Sequence, residues 1–183
     1  MAIFNVEINS KEVEAIITDL IREYHAMIRE RLNINVEYKL STQPVRIIGG
    51  FPESTILASC IPDDDRTSIV EVVFFSESIT NMLNSKFKVV NDSDIFFYSV
   101  RICILFIIVH ELVHIQQIIK GLSINEYFKI HYSDNPWEKE ANDKAARVVA
   151  EKGVFEQEIV KVSRGLLNLD NENVYEFINL YQK

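Results

Sequence analysis

The stretch His110-Glu111-Leu112-Val113-His114 follows a long apolar run, Ile102 to Val109, and the two together decide the central element of the fold. We predict one α-helix from Val100 to Lys120, because this range holds neither Pro nor Gly and Gly121 is placed to end it. Three capping residues precede the range: Asp92, Ser93 and Asp94. An apolar helix that runs straight into a polar pentapeptide is predicted to be buried and to carry chemistry at its C-terminal part.

The pentapeptide has the pattern HExxH, in which the two histidines lie one turn apart on the same helix face. His110 and His114 can therefore present two imidazoles to one metal ion. Glu111 projects beside them, where its carboxylate can act as a base toward a metal-bound water. The alternative is a buried helix whose histidines are satisfied core residues, but burial of three such groups without partners is costly. We therefore predict a zinc site.

Composition places the chain among globular proteins of one domain, which we assign to residues 1–183. The chain has 183 residues, of which 48% are hydrophobic and 25% charged. Its formal net charge of −8 argues against nucleic acid and anionic membrane as main partners, because both require a basic surface.

The chain shows no sign of export or of a membrane span at the sequence level. Residues Met1 to Glu7 lack a basic region and a long apolar segment, and Phe96 to Val109 is too short to cross a bilayer. Cys60 and Cys103 are the only cysteines, and Cys103 lies in the predicted motif helix, which argues against a structural disulfide. We therefore expect a cytoplasmic protein.

The hydrophobic period changes along the chain from helix to strand and back to helix. Lys11 to Leu32 is predicted as an amphipathic helix that packs its Val13, Leu20 and Met27 face on a sheet. Predicted strands follow at Ile34–Leu40, Arg46–Ile48, Ser54–Ile61 and Ile69–Phe75. Beyond the motif helix we predict helices at Pro136–Lys152, Phe155–Leu167 and Asn173–Tyr181. The fold class predicted is α+β.

A catalytic zinc usually takes three protein ligands, so one more is needed beyond the two histidines. The downstream candidates are His131, Asp134, Glu138 and Glu140. On a helical wheel Glu138 shares a face with small and apolar residues, Ala141, Ala145 and Val148. Glu140 instead lines up with charged residues and can pair with Lys144 in the solvent. This pattern favours Glu138 as the third ligand.

Glu138 also has a structural alternative. Asn135 is a helix cap and Pro136 suits the first helical turn, so Glu138 could bond back to the Asn135 amide in a capping box. The two interpretations place the carboxylate in different positions. A ligand points toward the motif helix, whereas a capping carboxylate points back along its own helix.

The HELVH motif together with Glu138-Lys139-Glu140-Ala141-Asn142 resembles the gluzincin metallopeptidases, including the ImmA/IrrE family and the Ste-type CAAX-prenyl endopeptidases. The run His110 to Gln117 also resembles small peptidases of phage and secretion-system clusters. The resemblance covers about residues 100 to 150. It implies a zincin-like fold, Zn²⁺ as cofactor with Glu138 as third ligand, and hydrolysis of a protein or peptide substrate.

Two positions depart from those families. ImmA/IrrE members usually have Gly before the second His, where this chain has Val113. Asn142 stands where the prenyl endopeptidases have an Asp that commonly orients a zinc-bound His.

The remaining catalytic roles are expectations from position. Glu111 would take a proton from water and pass it to the leaving amine. His131 and Tyr132 lie between the two helices in sequence and could donate to the oxyanion, although loop packing explains them as well. A peptide substrate would add to an exposed sheet edge, for which Ser54–Ile61 is the candidate.

Two other functions remain open. A deformylase-like hydrolase would use a cysteine upstream of HExxH as third ligand, and Cys60 is the only candidate, although its sequence context lacks the Gly-Cys-Leu-Ser pattern. A non-catalytic zincin-fold binding module would use the metal structurally or lack it.

Overall fold

A computed structural model of the chain describes residues 7–87, 93–151, 154–155 and 158. Its helices are α1 (Ser10–Leu32), α2 (Ser76–Lys86), α3 (Ser93–Ile119), α4 (Ile124–Tyr127) and α5 (Pro136–Ala150), with a 3-10 turn at Tyr132–Asp134. Its strands are β1 (Lys39–Gln43), β2 (Arg46–Ile48), β3 (Phe51–Glu53), β4 (Ala58–Pro62) and β5 (Ile69–Phe75). The described residues share one hydrophobic core, and the mixture of helices with a small sheet confirms the α+β prediction.

A capping box starts α1. The Asn9 side chain accepts hydrogen bonds from the backbone N–H groups of Lys11 and Glu12 at 3.0 and 3.1 Å, and the Glu12 carboxylate accepts from the Asn9 N–H at 2.9 Å. Asn33 ends the helix in the left-handed conformation, with φ of 54°. The helix thus begins one residue before the predicted range and ends where predicted.

The packing of α1 differs from the prediction. Val13 and Leu20 are fully buried and Met27 partly so, but α1 packs mainly against α3 and α2 rather than on the sheet. The cause is the composition of α3, whose run from Ile102 to Val109 is apolar and buried and offers α1 an apolar surface of its own.

The three-stranded sheet has the order β1-β5-β4, with β1 parallel and β4 antiparallel to β5. β5 spans the predicted residues and is the central strand. β4 lies at the edge of the sheet among the described residues, which confirms that the predicted Ser54–Ile61 region forms an edge strand, although the strand itself is shorter. Ser59 pairs with Val73 and Cys60 with Val72, so the Cys60 side chain shares a face with a fully buried residue.

The strand predicted at Ile34–Leu40 begins later, at Lys39. The Arg29 guanidinium donates to the carbonyls of Ile34 and Val36 at 3.5 and 2.8 Å, so these carbonyls bond to a side chain instead of a neighbouring strand. The second sheet is the hairpin of β2 and β3, which turns through Gly49 and Gly50 with φ of 57° and 85°.

α3 is longer than predicted, because it begins at Ser93 rather than Val100. Its end follows the prediction: the Gly121 N–H donates to the Ile118 carbonyl and the Leu122 N–H to the Gln117 carbonyl, with Gly121 at φ of 102°. By length and composition Phe96–Ile119 could cross a membrane, but 89% of its most apolar window is buried inside the protein. α3 is therefore the buried helix that the sequence predicts.

α5 packs along α3 through small residues. Ala141 and Ala145 are fully buried, which lets the two helices approach closely. The Asn135 side chain accepts from the Trp137 N–H at 3.0 Å and Pro136 occupies the first turn, as predicted. The helix ends at Ala150 rather than Lys152. The helices predicted at Phe155–Leu167 and Asn173–Tyr181 lie outside the described residues, apart from isolated positions.

Candidate metal centre

The three predicted ligands meet at one point between α3 and α5. His110 Nε2 and His114 Nε2 lie 3.0 Å apart. Glu138 Oε2 lies 3.3 Å from His110 Nε2, and Glu138 Oε1 lies 3.4 Å from His114 Nε2. All three side chains are buried, and each offers one ligand atom within 4.8 Å of the others. The structure thus brings together the residues that the sequence predicts as a group.

The spacing fits a tetrahedral ion. Ligand bonds of about 2.0–2.2 Å at tetrahedral angles place donor atoms about 3.3–3.6 Å apart, and the separations here are similar: 3.3 Å from His110 Nε2 to Glu138 Oε2, 3.4 Å from His114 Nε2 to Glu138 Oε1 and 3.0 Å between the two nitrogens. Two buried atoms in the group have no hydrogen-bond partner among the described residues, Glu138 Oε2 and His110 Nδ1. A buried carboxylate oxygen without a hydrogen bond is costly, and a metal ion in the group would satisfy Oε2.

The capping alternative for Glu138 does not occur. The Asn135 N–H donates to the Tyr132 carbonyl at 3.2 Å, not to the Glu138 carboxylate. The carboxylate points instead toward the histidines of α3. This position is the one predicted for a ligand.

Tyr127 is a contact of the centre that sequence analysis missed. Its hydroxyl donates a hydrogen bond to Glu138 Oε1, and its ring packs edge-on against His114 with centroids 5.5 Å apart. Burial and this hydrogen bond raise the pKa of Tyr127, so the hydroxyl stays protonated as a donor. With Oε1 held by Tyr127, Oε2 is the oxygen free to bind an ion. No local pattern marks this tyrosine, since it lies in the connection between the helices.

The electrostatics favour a charged carboxylate. Burial alone would raise the pKa of Glu138, but the close imidazoles of His110 and His114 and the hydrogen bond from Tyr127 hold that pKa well below its usual range. For His114, burial acts to lower the pKa, and the hydrogen bond to Glu138 and the charge of Glu111 outweigh it and raise the pKa. The group therefore has a net attraction for positive charge.

Gln117 was also missed as a functional residue. Its Oε1 lies 2.9 Å from His114 Nδ1, and its Nε2 donates to the Trp137 carbonyl at 2.9 Å and to Glu140 Oε2 at 3.0 Å. Glu140 is therefore not a simple solvated charge, and its expected pairing with Lys144 is not observed, because Lys144 donates to Gln116 Oε1. The one available signal was Gln117's place three residues after His114, on the same helix face.

Glu111 lies outside the ligand group and beside Cys60. The Cys60 thiol donates to Glu111 Oε2 at 3.4 Å and to the Glu111 carbonyl at 3.5 Å. Burial, with the charge of Glu111, raises the pKa of Cys60 well above its usual value, so the sulfur is a neutral thiol. The ligand atoms that lie together are those of His110, His114 and Glu138, and Cys60 is not in this group. The structure therefore does not place Cys60 as the third ligand, the arrangement that a deformylase-like site needs.

The two candidate oxyanion donors are placed differently. Tyr132 lines the cavity but is 65% exposed, and partial desolvation with the charge of Glu138 raises its pKa to about 12. His131 is exposed, lies 3.0 Å from Ser133 Oγ through its Nδ1, and is not among the cavity residues. Asn142 lines the cavity. The structure thus brings Tyr132 to the centre and leaves His131 outside it.

A cavity of about 810 Å³ opens onto the centre. One wall is the face of α3 from Cys103 to Ile118, about 22 Å along the helix axis. The opposite wall is β4 with the residues before it. The Phe75 N–H donates to the Leu57 carbonyl at 2.8 Å, and antiparallel pairing alternates, so the backbone groups of Ala58 and Cys60 point away from β5.

Comparison of the chain with known proteins gives no relative from which a function could be transferred. No family model matches it, and it matches neither a curated protein nor a solved structure. The assignment of the centre therefore depends on its own geometry: a buried His110, His114 and Glu138 group that could hold a metal ion.

Proposed function

We propose that the protein is a zinc-dependent metallopeptidase with a zincin-like arrangement of its helices and edge strand. The observation that carries the proposal is the convergence of His110, His114 and Glu138, whose ligand atoms lie within 4.8 Å of one another, with Glu111 beside them and outside the ligand group. Two imidazoles and one carboxylate are the protein ligands of many catalytic zinc sites. Three ligands among the described residues support catalysis, because a structural zinc site usually closes with four.

A zinc ion bound by these residues would leave one position for water, lower the pKa of that water toward about 7 and polarise a substrate carbonyl. Glu111 takes one proton from the water as its oxygen attacks the carbonyl carbon. The same carboxyl then gives the proton to the leaving nitrogen as the C–N bond breaks. Tyr132 lines the cavity with a protonated hydroxyl and is the donor that we assign to the oxyanion.

A peptide chain is the substrate that fits the cavity. The α3 wall of about 22 Å matches six or seven residues of extended chain at about 3.3 Å each. The outward backbone groups of Ala58 and Cys60 can pair with such a chain as an added strand. We therefore propose that a protein or peptide substrate binds along β4. We also propose that the enzyme acts in the cytoplasm. The net charge of −8 continues to argue against nucleic acid.

The two alternative functions, a deformylase-like hydrolase and a binding module, require different groups at the metal. A deformylase-like hydrolase needs Cys60 at the metal, whereas the Cys60 thiol faces Glu111. A binding module without catalysis would not need a carboxylate such as that of Glu111 beside the ligand group. A metallopeptidase uses that carboxylate as its base.

Cells that express the wild-type protein or Glu111→Gln test the proposal. Mass spectrometry of new protein N-termini should find cleavage products that occur with the wild type and not with the variant. Equal amounts of both proteins and equal zinc contents are the controls. If no product depends on Glu111 while both proteins hold zinc, the binding-module alternative replaces the peptidase.

A further inference from the structure

We infer that Gln117 is a positioning residue of the metal centre. Its side-chain amide orients the His114 ring toward the ion, and a hydrogen bond to Glu140 holds that amide in place. The inference rests on the proposed metal site. It concerns groups that lie outside the three ligands, and it predicts how strongly the ligands hold a metal. The contacts of one side chain carry it, since Gln117 touches a ligand-bearing ring on one side and the helix of the third ligand on the other.

The orientation of the Gln117 amide follows from its surroundings. Two acceptors, the Trp137 carbonyl and Glu140 Oε2, lie 2.9 and 3.0 Å from one end of the amide. Only the NH₂ group can satisfy both, because neither acceptor has a proton to give. The opposite end, which faces His114, is therefore the amide oxygen.

The amide oxygen in turn decides the state of the His114 ring. An amide oxygen only accepts, so the His114 Nδ1 at 2.9 Å must carry a proton and donate it. A neutral ring with its proton on Nδ1 has its lone pair on Nε2. That atom lies 3.4 Å from Glu138 Oε1 and 3.0 Å from His110 Nε2, at the point where the ligands converge.

The same amide ties the two ligand-bearing helices together. Trp137 directly precedes the ligand Glu138, and Glu140 follows it on the same helix. A side chain of α3 thus fixes the first turn of α5 in the register that delivers Glu138 to the histidines. Three groups are thus hydrogen-bonded in series: the Glu140 carboxylate, the Gln117 amide and the His114 imidazole. Glu140 polarises the amide, and the amide oxygen accepts the Nδ1 proton of His114, which makes Nε2 a better metal ligand. His110 has no such support, since its Nδ1 lacks a partner among the described residues.

The chain offers a matched control in the preceding residue. Gln116 is as buried as Gln117 and also ties α3 to its neighbours, through the Leu32 carbonyl and Lys144. These two hydrogen bonds do not involve any of the three ligands. Loss of Gln116 should therefore lower the stability of the fold and leave the metal affinity of the folded protein unchanged.

Zinc affinity, measured by competition with a chromophoric chelator, tests the inference in the full chain. Gln117→Leu should bind zinc about 10- to 100-fold more weakly than the wild type, and Gln116→Leu should bind as the wild type does. Gln117→Glu has the same shape but sets a carboxylate against Glu140, so it should also bind weakly. The pair Gln117→Glu with Glu140→Gln restores a donor between the two side chains, but not to the Trp137 carbonyl, and should recover part of the loss.

A spectroscopic measurement separates positioning from general destabilisation. In ¹⁵N spectra of histidine-labelled, metal-free protein at alkaline pH, the neutral His114 ring should carry its proton on Nδ1, and Gln117→Leu should lose this preference. Wild-type zinc affinity in Gln117→Leu, or a wild-type ring protonated on Nε2, would overturn the role of Gln117. Failure of the wild-type protein itself to bind zinc would instead overturn the proposed function, and this role with it.

Discussion

Glu138 Oε2 lies 3.3 Å from His110 Nε2, and no described group donates a hydrogen bond to it. The other oxygen of the same carboxylate is held by Tyr127. Because Tyr127 binds Oε1, Oε2 is the oxygen directed at the point where both imidazoles converge. It explains why a buried, ionised carboxylate lies between two histidines, and it leads to the predictions that follow.

Tyr127→Phe tests the contact that holds the carboxylate. The change removes the hydroxyl from Glu138 Oε1 and keeps the aromatic ring against His114, so the fold should persist. We expect zinc affinity to fall about 10- to 100-fold, because an outer partner orients the ligand. Isothermal titration calorimetry with zinc measures this affinity. Tyr38→Phe, which removes a hydroxyl that lies 2.8 Å from His25 Nε2 and outside the cavity, is the control and should bind zinc normally; a Tyr127→Phe protein of unchanged affinity would show that the Tyr127 hydroxyl has no such role.

Glu111→Gln separates the base from the ligands. The amide has the shape of the carboxylate but cannot accept the proton of the attacking water, so hydrolysis of an identified substrate should stop. Zinc content should stay equal to that of the wild type, because Glu111 is outside the ligand group. Metal analysis and peptide cleavage are measured on the same preparation. Residual activity near the wild-type level would refute the assignment of Glu111 as base.

A buried ion pair distant from the centre predicts a stability effect. Arg101 donates to both oxygens of Glu158 at 2.8 and 2.6 Å, and both residues are buried. Glu158→Ala leaves the guanidinium buried beside the half-exposed Glu23, which lies 3.6 Å away. Such a loss should lower the free energy of unfolding by about 3–5 kcal/mol in urea denaturation. Glu23→Ala, which removes only the more exposed partner, should cost less than about 1 kcal/mol. Equal effects would contradict the assigned pairing.

The loop after β4 predicts a pH effect. Hydrogen bonds from the Thr67 backbone and hydroxyl, and from Ser68, lower the pKa of Asp63 from 3.8 to about 2. Since the folded pKa is depressed, the stabilisation is present above pH 4 and is lost as the pH falls through about 2. An NMR titration of the Asp63 carboxyl should show that low midpoint, and Thr67→Ala should raise it. A midpoint near 3.8 in the wild type would show that the hydrogen bonds do not form in solution.

The elements that the sequence predicts well are those with strong local patterns. The HExxH spacing, the helix that carries it and the position of Glu138 on the small-residue face of α5 all follow from helical periodicity, and each is found in the structure. β5 is found at its predicted bounds, because a continuous apolar run between turns is a strong strand pattern.

The features that sequence analysis missed depend on contacts between distant residues. The Arg29 guanidinium donates hydrogen bonds to the carbonyls of Ile34 and Val36, which would otherwise be available to extend the first strand. Tyr127 and Gln117 gain their importance only when α5 packs on α3, and Glu140 changes from a solvated charge to a partner of Gln117 for the same reason. Periodicity identifies the face of a helix but not the side chains that meet across it.

Zinc content of the purified protein tests the central claim most directly. Protein prepared without chelator and supplied with zinc should hold about one ion per chain by elemental mass spectrometry. Glu138→Ala should lose nearly all of this zinc while it stays folded by circular dichroism, and Glu140→Ala should retain it at saturating zinc. A wild type that takes up no zinc, or a Glu138→Ala protein that binds zinc as tightly as the wild type, would contradict the account.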